Sequence, residues 1–227
     1  MFTVLITGAN RGLGLEFTRQ YAAAGWKVLA TCRDPQNATE LNTIAGEIQV
    51  LPLDVTDYLA IETVSRILRA EKIDLLLNNA GLYGSRAVAF GETDYEDWSD
   101  VFRVNTQAPL KMAECFVEQV ANSDKKLIVS ISSRLGSIGE NDEGQQYTYR
   151  STKAALNAIN KSMSVDLVGR GITTVVLHPG WAQTDMGGPN AAVDPVESVA
   201  GMRSVIDNLT TADTGRNISY DGSSINW

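Results

Sequence analysis

Near-continuous apolar, β-branched runs alternate with amphipathic stretches along the chain, and glycine or proline punctuates many of the changes. Phe2 to Thr7 is the first such run. Gly8, Gly12 and Gly14 follow it, and an amphipathic segment then runs to Ala24 and stops at Gly25. Lys27 to Cys32 predicts a second strand, which completes a strand, glycine turn, helix, strand unit. Further strands are expected at Glu47 to Leu51, Ile73 to Leu77, Lys126 to Ser132 and Ile172 to Leu177. Helices are expected at Asp57 to Glu71, Tyr95 to Ala121 and Thr148 to Val168. Strands joined through helices imply right-handed crossovers and parallel pairing. Runs such as Leu75-Leu76-Leu77 and Thr173 to Leu177 have the unbroken apolar character of strands covered on both faces. The pattern predicts an α/β fold: one domain over 1–227, a doubly wound, mostly parallel sheet of about seven strands, and helices on both faces. Pro179 to Pro195, with Gly180, Gly187, Gly188 and Pro189, fits neither period and is expected to be a lid-like loop after a strand's C-terminal end.

Composition narrows the function classes. A net charge of -8 and a pI near 4.7 oppose binding to phosphate backbones or anionic lipid, so no nucleic-acid or membrane partner is expected. No apolar run approaches the ~18 residues of a membrane span, and Met1-Phe2-Thr3 enters the first strand without a basic leader, which predicts a cytoplasmic protein. Cys32 and Cys115 are too few for a disulfide framework and lack metal-ligand spacing, so no metal is expected. His178 is the single histidine, placed before Pro179-Gly180; it serves better as a strand-end residue than as a catalytic base.

Thr7-Gly8-Ala9-Asn10-Arg11-Gly12-Leu13-Gly14 lies between the first strand and the first helix. That is the context in which glycines let backbone approach a pyrophosphate and aim a helix N-terminus at it, the Rossmann arrangement. The spacing G-x-x-x-G-x-G departs from the common G-x-G-x-x-G. At the end of the second strand a cation accommodates a ribose 2′-phosphate, whereas an acid binds the free hydroxyl. Here Cys32-Arg33-Asp34 places Arg33 nearest, with Arg11 adding charge from the glycine turn, and NADP(H) is favoured. A register shift would set Asp34 on the ribose instead and favour NAD(H).

Tyr149 and Lys153 stand at i and i+4 in a predicted helix and share a face; Tyr147 has Ser151 at that position. A phenol must fall by about three units, roughly 4 kcal/mol, to exchange protons efficiently at neutral pH. An ammonium about 5 Å away at an effective dielectric of ~20 supplies roughly 3 kcal/mol, so Lys153 is expected to lower the Tyr149 pKa. The same spacing also describes an ordinary surface pair; the other motifs must decide.

Together, Thr7-Gly8-x-x-x-Gly12-x-Gly14, Asn78-Asn79-Ala80-Gly81, Asn105, Ser133, Tyr149-x-x-x-Lys153 and Pro179-Gly180 resemble the short-chain dehydrogenase/reductases. The stretches at 131–138, 149–157, 178–181 and 184–188 are similar to Sniffer-type carbonyl reductases and bacterial C-factor proteins. The resemblance implies a hydride-transferring carbonyl reductase with Ser133 on the carbonyl oxygen, Tyr149 as proton donor, Lys153 on the nicotinamide ribose and Asn105 holding a relay water. It implies cofactor contacts from Thr7, Gly8, Asn10, Arg11, Gly12, Leu13, Gly14, Arg33, Asn79, Ala80, Gly81, Tyr149, Lys153, Pro179, Gly180 and Thr184, and adenine contacts from Asp54 and Val55. Asp54 equally suits a cap for the helix near Asp57. Sixteen positions separate Ser133 from Tyr149, with an acidic insert around Glu140 to Gly144. Trp181, Met186, Tyr83 and Leu135 suggest an apolar or aromatic small-molecule substrate. Family habit implies a homodimer or homotetramer through helices 95–121 and 148–168. The competing reading is a C-factor-like NAD(P)-binding signalling protein with little metabolic turnover.

Overall fold

Seven strands form one all-parallel sheet in the order β3-β2-β1-β4-β5-β6-β7, in a computed structural model that describes residues 1–86 and 89–227. The strands are β1 (Thr3–Thr7), β2 (Lys27–Cys32), β3 (Ile48–Pro52), β4 (Leu75–Asn78), β5 (Leu127–Ile131), β6 (Thr173–His178) and β7 (Asn217–Ser219). The helices are α1 (Gly12–Ala23), α2 (Thr39–Asn42), α3 (Tyr58–Ile67), α4 (Tyr95–Phe102), α5 (Ala108–Ala121), α6 (Tyr147–Asp166) and α7 (Pro195–Asp207). Strand order reverses between β1 and β4, the switch point outside whose C-terminal ends ligands bind in open α/β sheets.

The period-two alternation of strand side chains builds two cores. Val4 and Ile6 of β1 and Leu75 and Leu77 of β4 face Phe17, Tyr21, Val199 and Met202 of α1 and α7. Leu5 and Leu76 face Ile61, Met112, Phe116 and Met163 of α3, α5 and α6. Helix starts follow local chemistry. Asp57 accepts the Ala60 N–H at the head of α3, Asp94 accepts those of Glu96 and Asp97 at α4, and Asp194 accepts that of Val196 ahead of α7. Such caps contribute about 1 kcal/mol each.

Two expectations need correction. The helix expected over 95–121 is interrupted: a wide turn of i→i+5 bonds spans Arg103–Gln107 between α4 and α5. Pro109 follows at the head of α5 and has no N–H for the carbonyl of Asn105 four residues back, so the regular ladder cannot run through. The C-terminal segment, for which no element was predicted, supplies both α7 and the short edge strand β7. Residues 179–194 form a loop folded on itself, with Gln183 N–H bonded to the Val193 carbonyl at 2.9 Å and Val193 N–H to that of Trp181 at 3.0 Å.

Candidate active site

The first element of the site is the turn after β1. Gly8 has φ +67°, and a Cβ there would stand 3.1 Å from the Ala80 Cα. A Cβ on Gly14 would stand 2.2 Å from the Gly8 carbonyl oxygen and 2.5 Å from the Asn79 amide nitrogen. Only glycine therefore lets α1 begin this close to the ends of β1 and β4. The turn is tied down by Thr7, whose hydroxyl accepts the N–H groups of Asn79 and Ala80, both at 3.0 Å, while the Asn79 amide donates to the Thr7 carbonyl at 2.9 Å. Arg11, at the head of α1, makes no side-chain cap, so no side chain competes for the helix's first N–H groups.

A cleft of about 660 Å³ opens above these turns. Gly8, Asn10, Arg11, Gly12, Leu13 and Gly14 form its floor, and Asn79, Ala80 and Gly81 the wall beside it. Arg33, Asp54 and Val55 line one end; Tyr149, Lys153, Pro179, Thr184 and Met186 also border the cleft. Four expected cofactor and catalytic positions, Thr7, Asn105, Ser133 and Gly180, do not reach this lining, and Ser132 borders it in place of Ser133. Thr7 is buried and works by bracing Asn79 and Ala80. Gly180 makes a φ +75° turn against Tyr220 and Val193. Asn105 is completely buried, its side-chain oxygen accepting the Leu82 N–H at 2.8 Å and its amide donating to the Leu82 carbonyl at 2.8 Å and to Thr152 at 3.1 Å. The Asn105 side chain thus pins the loop at Leu82, beyond the end of β4, and its main-chain carbonyl is the group left without an α-helical donor.

The cation end has the register expected with Arg33 inward. Arg33 lines the cleft, while Asp34 is turned away to Asn37, accepting its side-chain amide at 2.6 Å. That amide and the Asn37 N–H hold the Asp34 carboxyl below its ordinary range. Arg11 pairs with Asp185 at 3.2 Å in the open, bridging the glycine turn to the 179–194 loop. Asp54 caps nothing at α3, where Asp57 does so. Burial pushes the Asp54 carboxyl up, but the Thr56 N–H and hydroxyl, with Arg33 nearby, bring it below the ordinary value.

At the opposite end the two serines after β5 point to different sides. Ser132 donates to Asn157 at 2.6 Å, and Ser133 accepts the Leu135 N–H at 3.2 Å with its hydroxyl beside that of Tyr149. Tyr149 is 8% exposed, and Lys153 is 4% exposed with its Nζ donating to the Ile131 carbonyl at 2.8 Å. The electrostatics reverse the expectation. Burial drives the Tyr149 pKa above its ordinary value, opposed by the neighbouring Ser133 hydroxyl, and Lys153 does not offset it. Burial lowers the Lys153 pKa itself to about 8. An ammonium about 5 Å from the phenol in a partly solvated medium would lower it; the lysine instead directs its charge at a carbonyl, and desolvation outweighs the attraction. His178 is no base for this site. Its Nδ1 accepts the Arg134 N–H at 3.2 Å, and burial, helped by Arg134, lowers its pKa to about 4.

Two further residues were not singled out in the sequence. Gln146, in the left-handed region with φ 52° and ψ 38°, accepts the Tyr83 hydroxyl at 2.6 Å. Arg103, on the turn that carries Asn105, lines the cleft. A glutamine before a predicted helix and an arginine within one carry no distinguishing signal. Among the described residues no cluster of three or more His, Cys, Asp or Glu side chains is placed to hold a metal, and no helix is long and apolar enough to cross a membrane.

The chain is 41% identical over 155 residues to the C-signal protein of Myxococcus xanthus, covering 68% of this chain and 93% of that one. The crystal structure of NADPH-bound carbonyl reductase from chicken fatty liver superposes with a TM-score of 0.89 at 37% identity, covering 99% and 98% of the two chains. Carbonyl reductase Sniffer of D. melanogaster gives 0.93 at 31% identity over the whole of both chains. Residues 2–193 match the short chain dehydrogenase family, and with the glycine turn, the strand-end asparagine and the serine, tyrosine and lysine placed as described, the chain belongs to that family.

Proposed function

We propose that the protein is a cytoplasmic NADP(H)-dependent reductase of aldehydes or ketones, with Tyr149 as its proton donor. The observation that carries this reading is the buried Tyr149 hydroxyl, beside Ser133 and bordering the same cleft as the glycine cradle and Arg33. An ordinary phenol already holds its proton at neutral pH, so the reading rests on where the hydroxyl stands and not on its raised pKa.

NADPH, when bound, supplies the hydride. The backbone of Gly8 to Gly14 suits its diphosphate, Arg33 and Arg11 its 2′-phosphate, Asp54 and Val55 its adenine, and Lys153 its nicotinamide ribose. Asn79, Ala80 and Gly81 would stand beside its adenosine ribose, and Pro179 and Thr184, from the 179–194 loop, would complete the cleft wall around it. Ser133 hydrogen-bonds the carbonyl oxygen of the substrate, and the Tyr149 hydroxyl gives that oxygen its proton. Lys153, near half-ionised at about pH 8, passes a proton toward the phenol, and the Asn105 carbonyl holds the water that refills it. Proton donation of this kind contributes about 10²- to 10⁴-fold. Tyr83 and Met186 on the wall favour an apolar or aromatic carbonyl compound. Assembly as a homodimer or homotetramer is proposed through α5 and α6, between which lies a groove bordered by Leu110, Ala158 and Ile159.

The likeness to C-signal supports a second reading, a protein that binds NADP(H) and signals without turnover. Binding alone has no use for a buried proton donor, which favours the enzyme. Following NADPH consumption against a panel of aldehydes and ketones tests the choice: turnover of any apolar member supports the reductase, and tight NADPH binding with no turnover across the panel favours the signalling reading.

A further inference from the structure

The connector between Ser133 and Tyr149 ends in an unusual backbone. Gly144, Gln145 and Gln146 have φ of 66°, 54° and 52°, three consecutive left-handed residues immediately before α6. Only the first is a glycine. Left-handed backbone is disfavoured for side-chain-bearing residues, and it persists where surrounding contacts over-determine it, often beside functional groups. The contacts are present here. Arg150, 8% exposed, donates from its Nε to the Gly144 carbonyl at 3.1 Å and so clamps the start of the run. At its end, the Gln146 side-chain oxygen accepts the Tyr83 hydroxyl at 2.6 Å. The Tyr83 ring then lies on the Tyr149 ring, centroids 4.5 Å apart and planes 19° from parallel. The Arg86 guanidinium covers Tyr83, 4.8 Å from its centroid, and bonds the Met186 carbonyl.

We propose that Tyr83 and Gln146 are positioning residues for Tyr149: the clamped left-handed run holds Gln146 on the Tyr83 hydroxyl, and the stacked Tyr83 ring fixes the plane in which Tyr149 presents its proton. The inference rests on Tyr149 being the proton donor and goes beyond it by assigning what aims the donor. The stack covers one face of the phenol, so the substrate carbonyl reaches the hydroxyl along the edge shared with Ser133. Without the stack the Tyr149 ring gains freedom about its Cα–Cβ bond, which swings the hydroxyl away from Ser133, and about its Cβ–Cγ bond, which turns the plane in which the O–H bond lies.

The test uses the full chain with NADPH and para-nitrobenzaldehyde as probe. Tyr83→Ala is expected to lower kcat about 10- to 100-fold, the scale of a misplaced catalytic group, with NADPH Kd unchanged. Tyr83→Phe keeps the ring and loses only the Gln146 bond, so it restores most of that kcat. Gln146→Gly relaxes the left-handed strain, and its melting temperature is expected to hold or rise while kcat falls to the Tyr83→Phe level. An unchanged kcat in Tyr83→Ala, or a rise in KM alone, overturns the proposal and leaves Tyr83 with its wall role alone. Tyr149→Phe, assayed alongside, separates the two claims. If it is inactive while Tyr83→Ala is normal, only the positioning role fails; if it turns over normally, the proton-donor reading fails and takes the positioning role with it.

Discussion

Replacing Arg33 with alanine removes the cation nearest the position proposed for the cofactor's 2′-phosphate and leaves the glycine cradle intact. Arg33 lines the cleft and, among the described residues, forms no ion pair, so its charge is available to a ligand. At about 5 Å, one unit charge attracts another by roughly 0.8 kcal/mol in bulk water and roughly 3 kcal/mol at an effective dielectric of 20. A hydrogen bond to a charged group contributes about 1.5–3 kcal/mol. Arg33 is exposed, so the lower half of that range applies, and the expected loss is about 1.5–2 kcal/mol, a 10- to 30-fold rise in the NADPH Kd. NADH lacks the phosphate and should weaken by less than about twofold. Titration with each cofactor, followed by quenching of the four tryptophans, measures the ratio directly. The NADPH preference should also shrink as salt shortens the Debye length. Asp34→Ala is the control: its carboxylate is engaged by Asn37, and NADH affinity should not change. Equal weakening of both cofactors by Arg33→Ala, or loss of NADH binding in Asp34→Ala, refutes the assignment.

Gly14→Ala places a methyl group 2.2 Å from the Gly8 carbonyl oxygen; backbone must move, the melting temperature should fall by the equivalent of about 3 kcal/mol, and an unchanged melting temperature with normal NADPH affinity contradicts the geometry. Lys153 has a folded pKa of about 8, below its ordinary value of 10.5; the unfolded chain binds more protons between those values, so stability rises with pH across that window by up to about 3 kcal/mol, and denaturant titrations should show Lys153→Met losing this rise. His178 has a folded pKa of about 4 against 6.5; its contribution is present above pH 6.5 and lost as pH falls through 4, about 2 kcal/mol after allowance for partial exposure, and His178→Gln should flatten the acid limb of the same titration.

The alternation of apolar runs and amphipathic stretches was enough to read the parallel sheet, because strands buried on both faces such as Leu75 to Asn78 need no tertiary information to be apolar. The three-residue strand Asn217–Ser219 was not legible: it is short and polar at both ends and takes its strand form from pairing with Val176 to His178. The break in the 95–121 helix is written in Pro109, but a proline at a helix's first turn is harmless, and only the carbonyl it strands shows its effect. Candidate site residues with motif spacing were found, and the glycine cradle and the Arg33 side of the register followed from local rules. The electrostatics did not. Two residues four apart say nothing of how deeply they lie, and depth set the direction of the Tyr149 shift. Gln146 escaped for a related reason, since its role depends on a left-handed backbone that glutamine rarely adopts.

In the proposed reaction the buried Tyr149 hydroxyl delivers the proton to the substrate carbonyl. Single-turnover and steady-state oxidation of NADPH by wild type and Tyr149→Phe, each saturated with cofactor, tests it most directly. The variant should keep its NADPH affinity and fold while turnover falls by about 10²-fold or more. Turnover within about threefold of wild type, with the same NADPH affinity, would contradict it, since a change that small is under 1 kcal/mol of barrier.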